Sequence, residues 1–214
     1  MARVLIVGAS RGIGLETVKR AIEAGHKVRA LARSARRIAI DHSDLEKVSG
    51  DALDPAIVKR VLDGVDAVIV TLGVAPGLEA IFRPVKLFSQ ATRVLVDLME
   101  ETGVKRLICV TGIGAGDSRD KGGFLYSAVL LPLLLGRAYD DKDVQEQIIR
   151  DSTLDWVIAR PGLLTRGPRT RSYRVLINRD AWRMGKISRA SVADFLVKQI
   201  DDNTCLGKTP LLIN

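Results

Sequence analysis

The chain has 214 residues, 47% of them hydrophobic, with a mean hydropathy of +0.13, which is enough to bury one sizeable core and matches a globular protein. Its formal charge is +8, but aromatics make up only 4% and the densest basic stretch is short, Arg166 to Arg174, so nucleic acid is not an expected partner. Two cysteines and two histidines, His26 and His42, rule out a disulfide framework, a zinc cluster and a histidine-based triad. Met1-Ala2-Arg3 leads straight into an apolar run too short for a secretory segment, and no stretch reaches the ~20 apolar residues of a membrane span. The expectation is therefore a cytoplasmic protein, monomer or homodimer, with no metal.

In chain order, Val4-Leu5-Ile6-Val7 predicts a buried strand. The loop Gly8-Ala9-Ser10-Arg11-Gly12-Ile13-Gly14 follows it, then a helix over Leu15 to Ala24, a turn at Gly25 and a second strand from Val28 to Ala32. Leu45 to Val48 predicts a short third strand. Gly50-Asp51-Ala52-Leu53-Asp54-Pro55 then turns into a helix from Pro55 to Asp63, with Asp54 as its cap. Asp66 to Thr71 predicts a fourth strand ending in Leu72-Gly73. Residues 74–83 read as a loop and 84–102 as a long helix. Arg106 to Val110 is a fifth strand, with Cys109 as a small hydrophobe inside it, and Thr111-Gly112-Ile113-Gly114-Ala115-Gly116-Asp117 is a second glycine-rich stretch. Residues 122–135 read as an apolar helix broken at Pro132, 138–151 as a polar-faced helix, and Trp156 to Ala159 as a sixth strand closed by Arg160-Pro161-Gly162. Residues 172–177 and 209–213 suit short strands, and 190–200 a late helix. Strands alternating with helices predict an α/β fold with a doubly wound parallel sheet over residues 1–214.

Ligands of such sheets bind at the carboxyl ends of the strands, where the strand order reverses. Gly8, Arg33, Asp51, Gly73, Thr111 and Pro161 all fall at or just after predicted strand ends. In the first loop, Gly8, Ser10, Arg11, Gly12, Ile13 and Gly14 form a strand–loop–helix turn whose backbone approaches a dinucleotide pyrophosphate. An acid at the end of the second strand would bind the ribose hydroxyls of NAD, whereas an arginine accommodates the 2′-phosphate of NADP. Here Arg33 stands there, with Arg36 and Arg37 behind it, no acid before Asp41, and Arg11 inside the loop. The guanidinium fork suits phosphate oxygens, so the predicted cofactor is NADP.

These residues resemble the short-chain dehydrogenase/reductase superfamily, in its small atypical branch of biliverdin reductase B/flavin reductase-like and NmrA-like proteins. Besides the first loop, the resemblance rests on Gly50-Asp51, Asp66-Ala67-Val68-Ile69-Val70, Gly103-Val104-Lys105-Arg106, Leu154-Asp155-Trp156-Val157-Ile158-Ala159-Arg160-Pro161-Gly162 and Ile187-Ser188-Arg189-Ala190-Ser191-Val192-Ala193. It implies an NAD(P)-binding Rossmann-like domain. Asp51 and Ala52 would contact the adenine, Leu72 and Gly73 would line the ribose, and Pro161 and Gly162 would lie along the nicotinamide. The acceptor pocket would come from residues 112–190.

The superfamily's catalytic set, a Ser or Thr after strand five and a Tyr four residues before a Lys, is met only in part. Thr111 ends strand five and Lys142 has Glu146 four residues on, but Ala138 stands four before Lys142 and Tyr139 only three before. Thr111, Lys142 and Tyr139 are therefore the candidate catalytic residues, Tyr139 because i and i+3 share a helix face. The departure counts against carbonyl reduction more than against reduction of a flavin or quinone, where water can supply the proton. Phe124, Leu125, Val129, Leu130, Leu133 and Leu134 offer apolar cover for a flat ligand, or else belong to the core or a dimer contact, with Tyr126 packed among them. The implied function is an NADPH-dependent reductase of a planar, apolar small-molecule acceptor; the alternative is a non-catalytic NADP(H)-sensing or assembly protein of the NmrA-like kind.

Overall fold

A computed structural model describes residues 1–73, 86–116, 118, 136–170 and 172–214. In chain order the elements are β1 (Arg3–Val7), α1 (Gly12–Glu23), β2 (Lys27–Ala32), β3 (Leu45–Ser49), α2 (Pro55–Leu62), β4 (Ala67–Val70), α3 (Leu87–Thr102), β5 (Arg106–Val110), α4 (Gly136–Arg150), β6 (Asp155–Pro161), β7 (Leu163–Thr165), β8 (Arg174–Leu176), β9 (Lys186–Ser188), α5 (Arg189–Lys198) and β10 (Leu211–Ile213). The main sheet runs β3-β2-β1-β4-β5-β6-β10-β8, parallel except for the edge strand β8, and β7 pairs with β9 in a separate parallel ribbon. The order reverses between β1 and β4.

The period of two in each central strand splits the core into two layers. Val4 and Ile6 of β1, Ala67 and Ile69 of β4, and Ile108 and Val110 of β5 face α1 and α5. Leu5 and Val7, Val68 and Val70, and Leu107 and Cys109 face α2, α3 and α4. Central strands covered on both faces carry near-continuous apolar runs, which is why these segments are so plain in the sequence. Cys109 lies inside this layer with no exposure, and burial pushes its thiol up to about 12, so it packs as a hydrophobe.

The helix termini follow their sequence signals. Asp54 caps α2, accepting from the N–H groups of Ala56 at 2.9 Å and Ile57 at 3.4 Å, with Pro55 at the first helical position. Ser188 caps α5 through the N–H of Ser191 at 3.1 Å. Gly103 ends α3 in the left-handed region at φ 79°.

Two short strands, β7 and β9, depart from the sequence reading. Each is three residues long, too short to show a period of two. The predicted loop over 74–83, the first residues of the 84–102 helix and the apolar helix over 122–135 lie outside the described residues.

Candidate functional site

The loop after β1 is shaped by two close approaches at the point where the strand order reverses. Gly8 has φ +86° and its N–H donates to Leu31 O at 2.9 Å; a Cβ there would stand 2.9 Å from the backbone of Thr71. A Cβ on Gly14 would collide with Gly8 O. Thr71 holds the other side, donating through its N–H at 2.8 Å and its hydroxyl at 2.9 Å to Val7 O. Gly8 and Gly14 are thus required by packing within the protein.

Gly12 is different. It sits at φ +59°, and a Cβ on it would meet nothing within 4 Å. It is the first residue of α1, and no side chain caps that helix. An uncapped N-terminus whose first residue faces open space meets the stereochemical needs of a bound pyrophosphate. Ser10 is half-buried and accepts at 3.0 Å from the Ser34 hydroxyl, tying the loop to the end of β2. Ile13 packs on the core, and its carbonyl accepts from Thr17 at 2.8 Å.

Arg11 and Arg33 are exposed, as are Arg36 and Arg37, and none of the four has an ion pair with a described residue. Asp51 uses one carboxylate oxygen in a turn, accepting from the N–H of Leu53 at 3.0 Å, which leaves the other for a ligand. Ala52 belongs to the core at 6% exposure, and Leu72 packs against the same layer, so both support the rim more than they line it. Gly73 is exposed.

At the carboxyl end of β5 the structure brings the three candidate catalytic residues together. Thr111 is 7% exposed and bonds through its N–H to Ala159 O at 3.0 Å. A Cβ on the next residue, Gly112, would lie 2.9 Å from the Tyr139 hydroxyl, so Tyr139 does reach this end of the sheet. Lys142 is buried, donates to Val110 O at 3.3 Å and sits 4.1 Å over the Phe88 ring. Burial pulls its ammonium below the ordinary lysine range, against the opposing pull of Glu146 and Asp141. Pro161 O accepts from the N–H of Ile113 at 3.0 Å, which joins the β5 loop to β6. Gly162 is pressed against Gly185, a packing reason for glycine at that position.

Helix α4 corrects the reading of a polar-faced helix. Asp141, Lys142, Gln145 and Glu146 are all buried, and each has a hydrogen-bond partner in another part of the chain. Asp141 caps α3 from outside, accepting from the N–H of Phe88 at 2.8 Å and from both the N–H and the hydroxyl of Ser89. Asp143 accepts from the N–H of Gly116 at 2.6 Å, and Gln145 donates to Thr92 at 2.9 Å. Glu146 accepts from Thr111 at 2.7 Å and from Arg160 at 3.0 Å and 2.5 Å. Arg160 has no exposure and lies 5.2 Å from the centre of the Trp182 ring.

Sequence reasoning noticed Glu146 only by its spacing and missed Arg160 as part of the site. A usable signal was present: an arginine inside an apolar strand needs a buried carboxylate partner. The apolar cover assigned to Phe124, Leu125, Val129, Leu130, Leu133 and Leu134, and the packing of Tyr126, lie outside the described residues. Among the described residues there is no cluster able to hold a metal ion, and no helix is long and apolar enough to cross a membrane.

Comparison with known proteins gives the family and the fold. The NAD(P)H-binding family profile matches residues 8–203. An uncharacterised chloroplastic protein of Arabidopsis thaliana, At2g34460, is 30% identical over 203 residues, covering 92% of this chain and 71% of that protein. An NAD(P)H azoreductase of Xenophilus azovorans is 26% identical over 160 residues, 74% of this chain and 47% of that protein. The chain therefore spans about half the length of that azoreductase. Among solved structures, ChuY, an anaerobillin reductase of Escherichia coli O157:H7, shares the fold with a TM-score of 0.78 at 24% identity, over 99% of this chain and 96% of that one.

Proposed function

The chain belongs to the NAD(P)H-binding family, and from that premise we propose that it is an NADPH-dependent reductase that passes a hydride to a planar acceptor such as a flavin or quinone. The observation that carries the reading is the uncapped start of α1, open at Gly12 and flanked by Arg11 and Arg33, on the same strand-end rim as Thr111, Tyr139 and Lys142. That the azoreductase and ChuY are reductases by name supports the reaction class.

The residues present fit a dinucleotide. The N–H groups at the start of α1 would bind the pyrophosphate, Arg11 and Arg33 the 2′-phosphate, and the unused oxygen of Asp51 the adenine amine. Lys142, anchored on Val110 O, has N–H donors left for the ribose beside the nicotinamide. When bound, the cofactor supplies the hydride; the protein orients it and excludes water. Tyr139 stands where a proton could be supplied, and Thr111 where a hydrogen bond to the bound groups could form.

NADPH oxidation measured against a panel of flavins and quinones tests the reading. Turnover with at least one acceptor is expected, and NADP(H) should bind at least about tenfold tighter than NAD(H), a difference of about 1.4 kcal/mol. Arg33→Ala should reduce that preference in a calorimetric titration; equal affinities in the parent would overturn the assignment of NADP. Tight NADPH binding with no turnover would favour the sensing or assembly role.

A further inference from the structure

The Thr111 hydroxyl has one proton, and it is already engaged. Thr111 Oγ1 donates to Glu146 Oε1 at 2.7 Å in a buried setting. Glu146 cannot donate in return. Its two oxygens receive Arg160 Nε and Nη2, and Arg150 Nη2 stands 3.5 Å from Oε2, so the group is a carboxylate whose bonds are all accepted. The carboxylate is also tightly enclosed. A Cβ on Gly116 would lie 2.5 Å from Arg160 Nη2 and 2.8 Å from Glu146 Oε2, while the N–H of Gly116 is held by Asp143 at 2.6 Å. Thr111 therefore has no free rotation by which to turn its proton outward, and no described donor reaches its lone pairs.

We propose that Glu146 is a positioning residue: by taking the Thr111 proton it makes Thr111 a hydrogen-bond acceptor at the end of β5, selecting a bound group that offers an N–H. This rests on the reductase reading for the identity of the site. It reverses the polarity expected of a residue that polarises a carbonyl oxygen, for which the hydroxyl would have to donate. The N–H can come from the carboxamide of the nicotinamide or from the ring of the acceptor.

Two matched comparisons distinguish those sources. In the first, NADP⁺ is titrated calorimetrically against its 3-acetylpyridine analogue, which replaces the carboxamide NH₂ with a methyl group. In the second, kcat/KM is compared for riboflavin and 3-methylriboflavin, which lacks the ring N–H. The parent should prefer the N–H partner by about tenfold in one of the two, the range of a single hydrogen bond. Thr111→Ser should keep that preference and Thr111→Val should abolish it. Glu146→Asp keeps a charge for Arg160 but withdraws the carboxylate by one methylene, and it should abolish the preference as well. In a Thr111→Val background it should change nothing further, as coupling through Thr111 requires. A purely structural role would lower affinity for both partners equally. Loss of preference in the dinucleotide comparison assigns the N–H to the carboxamide, and loss in the flavin comparison assigns it to the acceptor. No preference in either, or a preference that survives Thr111→Val, overturns the proposal. If neither flavin is reduced, the titration alone decides the role of Thr111, and the reductase reading fails only if no quinone is reduced either.

Discussion

Gly12 and Tyr139 show how single positions divide packing from binding. Gly8 and Gly14 are fixed by backbone contacts inside the protein, but Gly12 faces open space. Gly12→Val therefore meets no neighbour; its cost is the strain of a branched residue at φ +59°, of order 1–3 kcal/mol. The expected outcome is a folded variant by circular dichroism that no longer binds NADPH in a fluorescence titration. Normal binding would mean that the phosphate does not lie against this residue. Tyr139 reaches Gly112 from the i+3 face it shares with Lys142. For a flavin or quinone acceptor no phenolic proton is required, so Tyr139→Phe should keep the rate within a few fold of the parent. A loss of 10²-fold or more, the size of effect that follows removal of a general acid, would indicate carbonyl reduction instead.

Helix α4 organises the rim by meeting several elements with its polar residues. Asp141 meets the start of α3, Lys142 the end of β5, Asp143 the loop at Gly116, and Glu146 both Thr111 and β6. Asp141 is the clearest to test, since α3 has no side-chain cap from its own N-cap residue, Lys86. Asp141→Ala would leave the N–H groups of Phe88 and Ser89 without that acceptor, at a cost of about 2 kcal/mol. That corresponds to a fall of roughly 4–8 °C in Tm for a chain of this size. Thermal unfolding followed by circular dichroism measures it, and an unchanged Tm would show that the cap contributes nothing.

A third buried carboxylate joins the two helices on the opposite face of the sheet to each other and to the segment after β7. Asp194 of α5 pairs with Arg20 of α1 at 2.8 Å, Lys198 at 2.8 Å and Arg169 at 3.2 Å, and accepts from the Tyr173 hydroxyl at 3.0 Å. Burial alone would raise its pKa, but the hydrogen bonds from Lys198, Arg20 and Tyr173 outweigh burial and hold it at about 2, below the ordinary value of 3.8. Between those values the unfolded chain binds more protons, so stability rises with pH there. The contribution, about 2 kcal/mol, is complete above roughly pH 4 and is lost as the pH falls towards 2. Urea unfolding across that range should show the loss in the parent and a flatter profile in Asp194→Asn. Equal slopes would show that Asp194 does not set the acid limit.

The strands of the sheet and the glycine loop after β1 were legible because each is a local pattern, whereas the strand order is decided by the packing. Apolar runs mark strands buried on both faces, a glycine at residue 8 marks a strand end, and Arg33 follows β2 directly. The position of Tyr139 was half legible, since helical spacing puts it beside Lys142 but cannot say how far its hydroxyl reaches. The burial of α4's polar residues was not legible at all. Asp141, Lys142 and Glu146 look solvated until a neighbouring element supplies partners, and those partners lie 52 or 53 residues away for Asp141 and 14 to 35 residues away for Glu146. Only the packing of α4 against β5, β6 and α3 decides that Glu146 takes the Thr111 proton. A charge is buried at that point because its counter-charge, Arg160, is delivered to the same place by a different strand.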